Sequence, residues 1–406
     1  MNQHNNPKIR FKGYDNSLEK KTIGDITTSF SGGTPKSSNK TYYEGNIPFI
    51  RSGEIKTKQT ELFISDEALK NSSAKMVEKG DILYALYGAT SGEVAISQIN
   101  GAINQAILAI KPNSGYSSEF IMNYLKKEKE NILEKYLQGG QGNLSAAIVK
   151  SIELSLPSQD EQSTIGSLFR ILDDLLASYK DNLANHQSLK TTMLSKMFPK
   201  AGQTVPEIRL NGFEGEWEKV KLKDVTESIE YGLNASAKEF DGENKYIRIT
   251  DIDDVSRKFK EDSITSPDIN VSECDNYLLC EKDILFARTG ASVGKTYLYD
   301  IKDGKVYFAG FLIRARIKEK FDSKFIFQNT LTDRFTQYVK VTSQRSGQPG
   351  VNGKEYGEYE LYIPICEEQQ AIGSYFANLD NLITSYQEKI SQLEILKTKL
   401  LQDMFI

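Results

Sequence analysis

The chain is poor in cysteine and poorer in histidine, and each scarcity removes a class of protein. Cys274, Cys280 and Cys366 are the three cysteines in 406 residues, all in the second half. They cannot build a complete disulfide framework and read as reduced cytosolic thiols. The two histidines are His4, in a loose polar start, and His186, so no cluster has metal-ligand spacing. No apolar run approaches the roughly 20 residues that span a bilayer. The longest, Ile82-Leu-Tyr-Ala-Leu-Tyr87, is strand-sized. The polar stretch from Met1 to Pro7 lacks the apolar core of a signal peptide, so a soluble, cytoplasmic protein is expected. Nor does one sign of charge dominate: 51 lysines and arginines face 55 acids, a net charge of −4. A polybasic protein is excluded, and any nucleic-acid contact must come from local patches.

What the sequence does contain is a copy of itself. Pro7-Lys-Ile-Arg-Phe-Lys-Gly-Tyr14 returns as Pro206-Glu-Ile-Arg-Leu-Asn-Gly-Phe213. Phe49-Ile-Arg-Ser-Gly-Glu-Ile55 returns as Tyr246-Ile-Arg-Ile-Thr-Asp-Ile252. Asp81-Ile-Leu-Tyr-Ala-Leu-Tyr-Gly88 matches Asp283-Ile-Leu-Phe-Ala-Arg-Thr-Gly290, and Leu189-Lys-Thr-Thr-Met matches Leu396-Lys-Thr-Lys-Leu. The order never breaks, so the whole chain is duplicated.

Each half divides into a globule with short β-branched and aromatic runs and a helix of about 40 residues. The boundaries fall at 1–157 and 158–198, a linker at 199–205, then 206–364 and 365–406. Ser158 and Glu161 have capping-box spacing. Ile165, Leu168, Leu172, Leu175, Tyr179 and His186 follow at steps of three and four. The second helix repeats the pattern with Ile372, Tyr375, Leu379, Leu382, Tyr386 and Leu393. These are two heptad seams with a polar centre at Asn182, His186 and Lys389. Either each helix packs on its own globule or the two pair with each other. The expected class is α+β: two α/β globules separated by two long helices in an antiparallel coiled coil, with pseudo-two-fold symmetry.

Catalytic readings fail one by one. Gly290-Ala-Ser-Val-Gly294-Lys295 has three residues between its glycines, where a phosphate loop has four. Its counterpart Gly88-Ala-Thr-Ser-Gly92-Glu93 has no lysine, so both read as tight glycine turns. Asp173-Asp174 reads as a solvated helix face, and Glu54 with Lys56 as a chance acid-x-lysine triplet. No Asn-Pro-Pro or Asp-Pro-Pro segment of the kind amino-methyltransferases use begins a tetrapeptide motif here. The chain reads as non-catalytic.

Local charge points to nucleic acid. Residues 31–58 carry Lys36, Lys40, Arg51, Lys56 and Lys58 against Glu44 and Glu54. Residues 338–354 carry Lys340, Arg345 and Lys354 and no acid. Both are rich in the small donors and acceptors that reach phosphates and base edges. Candidate contacts in the first half are Thr34, Lys36, Lys40, Arg51, Lys56, Tyr87, Thr90, Ser91, Gln138, Gln141 and Asn143. In the second they are Arg248, Arg288, Thr289, Ser292, Lys295, Gln344, Arg345, Ser346 and Gln348. Arg51 and Arg248, identical in both halves, either bind phosphate or pair with Glu54 and Asp251. Base readers are expected where the halves differ, as at Leu86 against Arg288, Tyr87 against Thr289 and Glu93 against Lys295. Arg288 has the fork to meet a guanine edge.

These features together resemble the specificity subunit of type I restriction–modification systems. The resemblance rests on Gly33-Thr34-Pro35, Ile47-Pro-Phe-Ile-Arg51, Gly80-Asp-Ile-Leu83, Asn104-Gln105, Leu156-Pro157 and Glu161-Gln162. In the second half Ile363-Pro364 and Glu368-Gln369 match, while Gly232-Leu233-Asn234 stands in place of Gly-Thr-Pro. The resemblance implies two target-recognition domains, each reading one half of a bipartite double-stranded DNA target across a gap set by the coil. A helix of this length measures about 60 Å, or about 18 base pairs. It also implies methyltransferase and restriction subunits as partners. S-adenosylmethionine, ATP and magnesium would sit on those partners and no cofactor on this chain. A free-standing DNA-binding regulator and a coiled-coil scaffold are the rival readings.

Overall fold

The computed structural model describes residues 7–137, 143–344 and 349–406. The chain forms two compact units, Met1–Lys180 with Lys389–Ile406, and Asp181–Glu388. No helix among the described residues is long and apolar enough to cross a membrane.

Each unit is organised around one buried strand. In the first, Ile82–Ala85 lies inside a four-stranded antiparallel sheet in the order Thr27–Ser31, Ile107–Pro112, Ile82–Ala85, Val94–Ile96. Its side chains alternate between two cores: Ile82 and Tyr84 face the helices, while Leu83 and Ala85 face a second apolar layer with Ile50, Ile55 and Ile103. Burial on both faces is why this stretch reads as a continuous apolar run and not an alternating one. The second unit repeats the order with Thr226–Tyr231, Leu312–Ile317, Asp283–Ala287 and Thr296–Leu298. Ile284 and Phe286 point one way, Leu285 and Ala287 the other. Two parallel pairings also correspond, Ile47–Ile50 with Gly101–Ile103 and Lys245–Ile247 with Val306–Phe308.

The long helices run Gln159–Lys196 and Cys366–Met404. Each begins at a buried carboxylate. Arg10 forks onto Glu161 with both bonds at 2.7 Å, and Arg209 forks onto Glu368 at 2.8 and 2.7 Å. Glu161 is 1% exposed and Glu368 is 0%. Glu161 therefore does not close the expected capping box with its side chain; only the Ser158 half is present, at 3.4 Å. The next residue ties a neighbouring helix. Gln162 accepts from Ser117 N at 3.2 Å and donates to Pro157 O at 3.0 Å; Gln369 accepts from Asp322 N and donates to Pro364 O. Ser117 and Asp322 are N-caps. One turn on, Gly166 and Gly373 pass so close to those caps that a Cβ would lie 2.8 Å from Glu119 and 2.3 Å from Asp322.

Each helix ends in a Met-Phe pair that fills a core. Phe405 packs 5.0 Å from Phe120 and 5.8 Å from Phe169 in the first unit, and Phe198 packs 5.4 Å from Phe325 and 6.0 Å from Phe376 in the second. The first long helix thus starts in one unit's core and contributes Met197 and Phe198 to that of the other. Within the first unit Asp173 pairs with Lys397, Lys180 with Glu394 at 2.6 Å, and Lys389 lies over the Tyr179 ring. Within the second, Lys190 pairs with Asp380 at 2.6 Å and the His186 and Tyr386 rings stand 5.3 Å apart. His186 Nδ1 donates to Asn182 O at 2.6 Å.

Ile165, Leu172, Ile372 and Leu379 are buried, while Leu168, Leu175, Tyr179, Tyr375, Tyr386 and Leu393 are half-buried. Leu382 is 46% exposed, contrary to the predicted seam. The buried stripe runs through Phe376, Leu379 and Ile390, with half-buried Ile383 and Tyr386 between, so the step after Leu379 is four residues and leaves Leu382 off the stripe. Phe169 and Leu176 likewise sit deeper than Leu168 and Leu175.

Removing one partner of a buried, hydrogen-bonded ion pair leaves an uncompensated charge. Arg209→Ala is expected to destabilise the second unit by about 3–5 kcal/mol. Urea unfolding followed by fluorescence of Trp217, the single tryptophan, which packs 5.6 Å from Phe325, measures this. Glu368→Gln, which removes the charge and keeps the shape, is expected to cost less.

Candidate nucleic-acid interface

The buried strand of each unit runs out into a glycine turn. Gly88 and Gly92 have φ of 84° and 80°, Gly290 and Gly294 of 72° and 82°, the left-handed region that glycine enters without strain. Gly92 N donates to Ala85 O at 2.9 Å and Gly294 N to Ala287 O at 3.0 Å, so both turns close identically. Each is then clasped by a second segment. Tyr87 forms a bridge with Asn143 and Thr289 with Gly350; Leu144 N donates to Leu86 O at 2.8 Å and Val351 N to Arg288 O at 2.9 Å. Tyr87 and Asn143 are therefore brought together in the first unit, with Thr90 and Ser91 on the same turn, and Arg288 and Thr289 meet residues 350–351 in the second, with Ser292 on the turn. Ser91 Oγ donates to Leu86 O at 3.1 Å. Gln344 is exposed. Gln138, Gln141, Arg345, Ser346 and Gln348 lie outside the described residues.

A second group gathers at the other sheet of the first unit. Thr34 Oγ1 donates to Gln105 Oε1 at 2.6 Å, joining the Gly-Thr-Pro segment to Asn104-Gln105. Lys36 and Lys40 are exposed and make no ion pair among the described residues. Lys56 pairs with Glu93, which also takes Lys129 at 2.6 Å. The Lys129 and Lys56 ammonium groups hold the Glu93 carboxyl below its usual range.

Two predicted contacts have other employment. Arg51 forks onto Glu54 at 3.0 and 3.1 Å and also reaches Glu61; Arg248 forks onto Asp251 at 2.8 and 2.9 Å. In both halves the arginine backbone N–H donates to the same carboxylate, so the pair staples a tight turn. Of the two roles open to these arginines, the ion pair is the one observed. Lys295 is a correction: it is 7% exposed, donates to Ile252 O at 3.1 Å and pairs with Asp254. The loop around residues 252–254 covers it, and a buried ammonium held this way is no base reader.

Two aromatic residues outside the predicted contacts, Tyr231 and Phe311, lie beside Arg288. The Arg288 guanidinium lies 5.1 Å from the Tyr231 ring centre, and Arg288 Nη1 touches Gly310 O at 3.5 Å. Phe311 is 63% exposed. The turn also borders an open cleft of about 890 Å³ in the second unit, lined by Ser292, Lys340 and Gln344 and by Lys190 and Thr384 of the helices. Among the described residues no group of three or more His, Cys, Asp or Glu could hold a metal ion.

The fold is thus a duplicated scaffold in which each half carries a glycine turn at the end of a buried strand, held by a second segment of the chain. The family model for the type I restriction modification DNA specificity domain matches residues 16–185 and again 214–395, and the chain belongs to that family. The family supplies the non-catalytic specificity subunit of these systems. The chain is 22% identical over 392 residues to the MjaVIII specificity subunit of Methanocaldococcus jannaschii, covering 93% of this chain and 90% of that one. It is 24% identical over 198 residues to the EcoR124I/EcoR124II specificity subunit of Escherichia coli, covering 47% and 48%. The crystal structure of a type I restriction–modification S subunit from M. genitalium shares the fold, with a TM-score of 0.68, 16% identity and 99% of each chain covered.

Lys295→Ala is expected to lower stability by about 1.5–3 kcal/mol, the worth of a hydrogen bond to a charged group. Denaturant unfolding checks this, and the DNA preference of the chain is expected not to change.

Proposed function

We propose that this chain is the specificity subunit of a type I restriction–modification complex and that each half reads one part of a bipartite duplex DNA target. The recognition domains are residues 1–157 and 206–364. The helices 158–198 and 365–406 act as an antiparallel coiled coil that sets the gap and receives two methyltransferase subunits, with restriction subunits completing the assembly. Residues 199–205 link the halves. S-adenosylmethionine, ATP and magnesium belong to those partners, and the complex works in the cytoplasm.

One observation carries this reading. The two turns share their main backbone bonds, whereas the side chains on the turns differ. Gly92 and Gly294, Leu144 and Val351, and the Arg51 and Arg248 staples are conserved in role between the halves. Tyr87 against Thr289 and Leu86 against Arg288 are not. A protein that binds two different half-sites through one scaffold needs that division. Asn143, Thr90, Ser91, Thr289, Ser292 and Gln344 serve as polar contacts, with Thr34, Lys36 and Lys40 meeting phosphates.

The test is co-expression with the methyltransferase subunit of its system and a genome-wide map of methylated adenine. A split motif with two defined parts and a fixed gap, absent without this chain, is the expected result. No added methylation from a stable complex would point to a scaffold, and tight specific binding by the isolated chain to a free-standing regulator. Lys36→Ala is expected to weaken binding to all sequences alike and to lower the slope of log K against log salt by about 1, measured by titration over a salt series.

A further inference from the structure

Three positions far apart in sequence meet at one spot on the second unit, and the same three positions of the first unit carry different chemistry. Strand register sets the equivalence. Ser31 pairs with Leu108 as Tyr231 pairs with Ile313. Leu86 N donates to Ala106 O at 2.8 Å as Arg288 N donates to Phe311 O at 3.1 Å. Ser31, Leu86 and Ala106 thus become Tyr231, Arg288 and Phe311. Leu86 is 5% and Ala106 7% exposed, whereas Tyr231 is 46% and Phe311 63%.

The second set is organised. The guanidinium rests over the Tyr231 ring, and the Tyr231 hydroxyl accepts from Gly353 N at 3.0 Å, which pins the ring to the clasping segment. Stacking fixes the plane of the fork and reduces the freedom it must lose on binding. Among the described residues no carboxylate pairs with Arg288, and its guanidinium makes one long hydrogen bond, to Gly310 O. This contrasts with Arg51, Arg248, Arg209 and Arg316, each forked onto an acid. A partner subunit that docks on both halves meets their shared features. The ligand that differs between the halves is the DNA half-site, and the three concerted changes fall where such a ligand is told apart.

We propose that Arg288 and Phe311 form a two-base reader in the second half, Arg288 taking the O6/N7 edge of a guanine and Phe311 the C5-methyl of an adjacent thymine. Tyr231 is the positioning residue beneath the fork. These are the contacts that a guanidinium and an apolar side chain make in the major groove. The inference rests on the specificity-subunit reading and deepens it.

The experiment uses the full chain in complex with its methyltransferase subunit. The methylation map comes first, and absence of any split motif there overturns the functional reading itself. With a motif in hand, duplexes carrying 7-deazaguanine or uracil within it are titrated against the wild-type complex and the Arg288→Ala and Phe311→Ala complexes. Removing one guanine N7 is expected to weaken wild-type binding about 5- to 150-fold and to leave Arg288→Ala unaffected. Replacing the neighbouring thymine by uracil is expected to weaken wild type about fourfold and to leave Phe311→Ala unaffected. Tyr231→Phe is expected to keep the guanine preference and Tyr231→Ala to reduce it, with the other half-site unchanged in both. The proposal is overturned if both alanine variants keep the wild-type motif and its sensitivity to the two analogues, or if the half-site they alter has no guanine beside a thymine.

Discussion

Everything else in each unit is hung on a buried carboxylate. Glu161 and Glu368 sit at the first turns of the long helices, almost wholly out of water, and each is matched by a two-bonded arginine from the segment that opens its half. A charge in that position is tolerable only when its lone pairs are filled, because the cost of desolvation exceeds the attraction of any loosely placed partner. The fork therefore fixes three things at once. It sets where the opening segment lies and where the long helix starts, and through the next-door glutamine it sets where the Ser117 or Asp322 cap meets that helix. Gly166 and Gly373 follow as a consequence, since the cap approaches too closely for any side chain.

From that fixed corner the rest of each unit is a matter of filling two layers. The central strand shares its side chains between them, so neither layer closes without the other. In the second unit the strand opens on buried Asp283, held by the Arg316 fork, and its other side chains are apolar until it leaves the core at the glycine turn. Rigidity below and freedom above thus meet within two or three residues. The Leu86 side chain is buried in the first unit's core and the Arg288 side chain leaves it, yet both backbones make the same bonds, to Ala106 or Phe311 and to Leu144 or Val351.

This division also explains what the sequence revealed and what it concealed. The duplication, the long helices, the glycine turns and the motifs around Glu161-Gln162 were legible because they are local or repeated. The role of Glu161 was half legible: its spacing from Ser158 suggests a capping box, but the arginine that claims its side chain lies 151 residues away. Lys295 looked like a free cation beside a turn, and nothing in the turn signals the loop at 252–254 that buries it. The seam slipped by one residue at Leu382 because apolar residues occur at both 382 and 383, and only the burial of the helix distinguishes half-buried Ile383 from exposed Leu382. Tyr231 was hidden by an irregularity in pairing between Thr226 and Ser228, which shifts the count in that strand by one residue relative to the first half. Comparing the halves letter by letter aligns Tyr231 with nothing useful; comparing them by strand register aligns it with Ser31.

A net charge of −4 bears on how such a surface works. Most protein–DNA affinity comes from phosphate contacts that ignore sequence and are bought by positive charge. Here the arginines most available for that purpose, Arg51 and Arg248, are committed to acids within their own turns, and Lys56 and Lys295 to Glu93 and Asp254. With these four cations held by acids, less of their charge is left to meet phosphates, whereas Thr289 and Arg288 on the second turn have no carboxylate partner among the described residues. A specificity subunit that works beside larger partners can leave part of the general attraction for the duplex to them and contribute the discrimination between sequences.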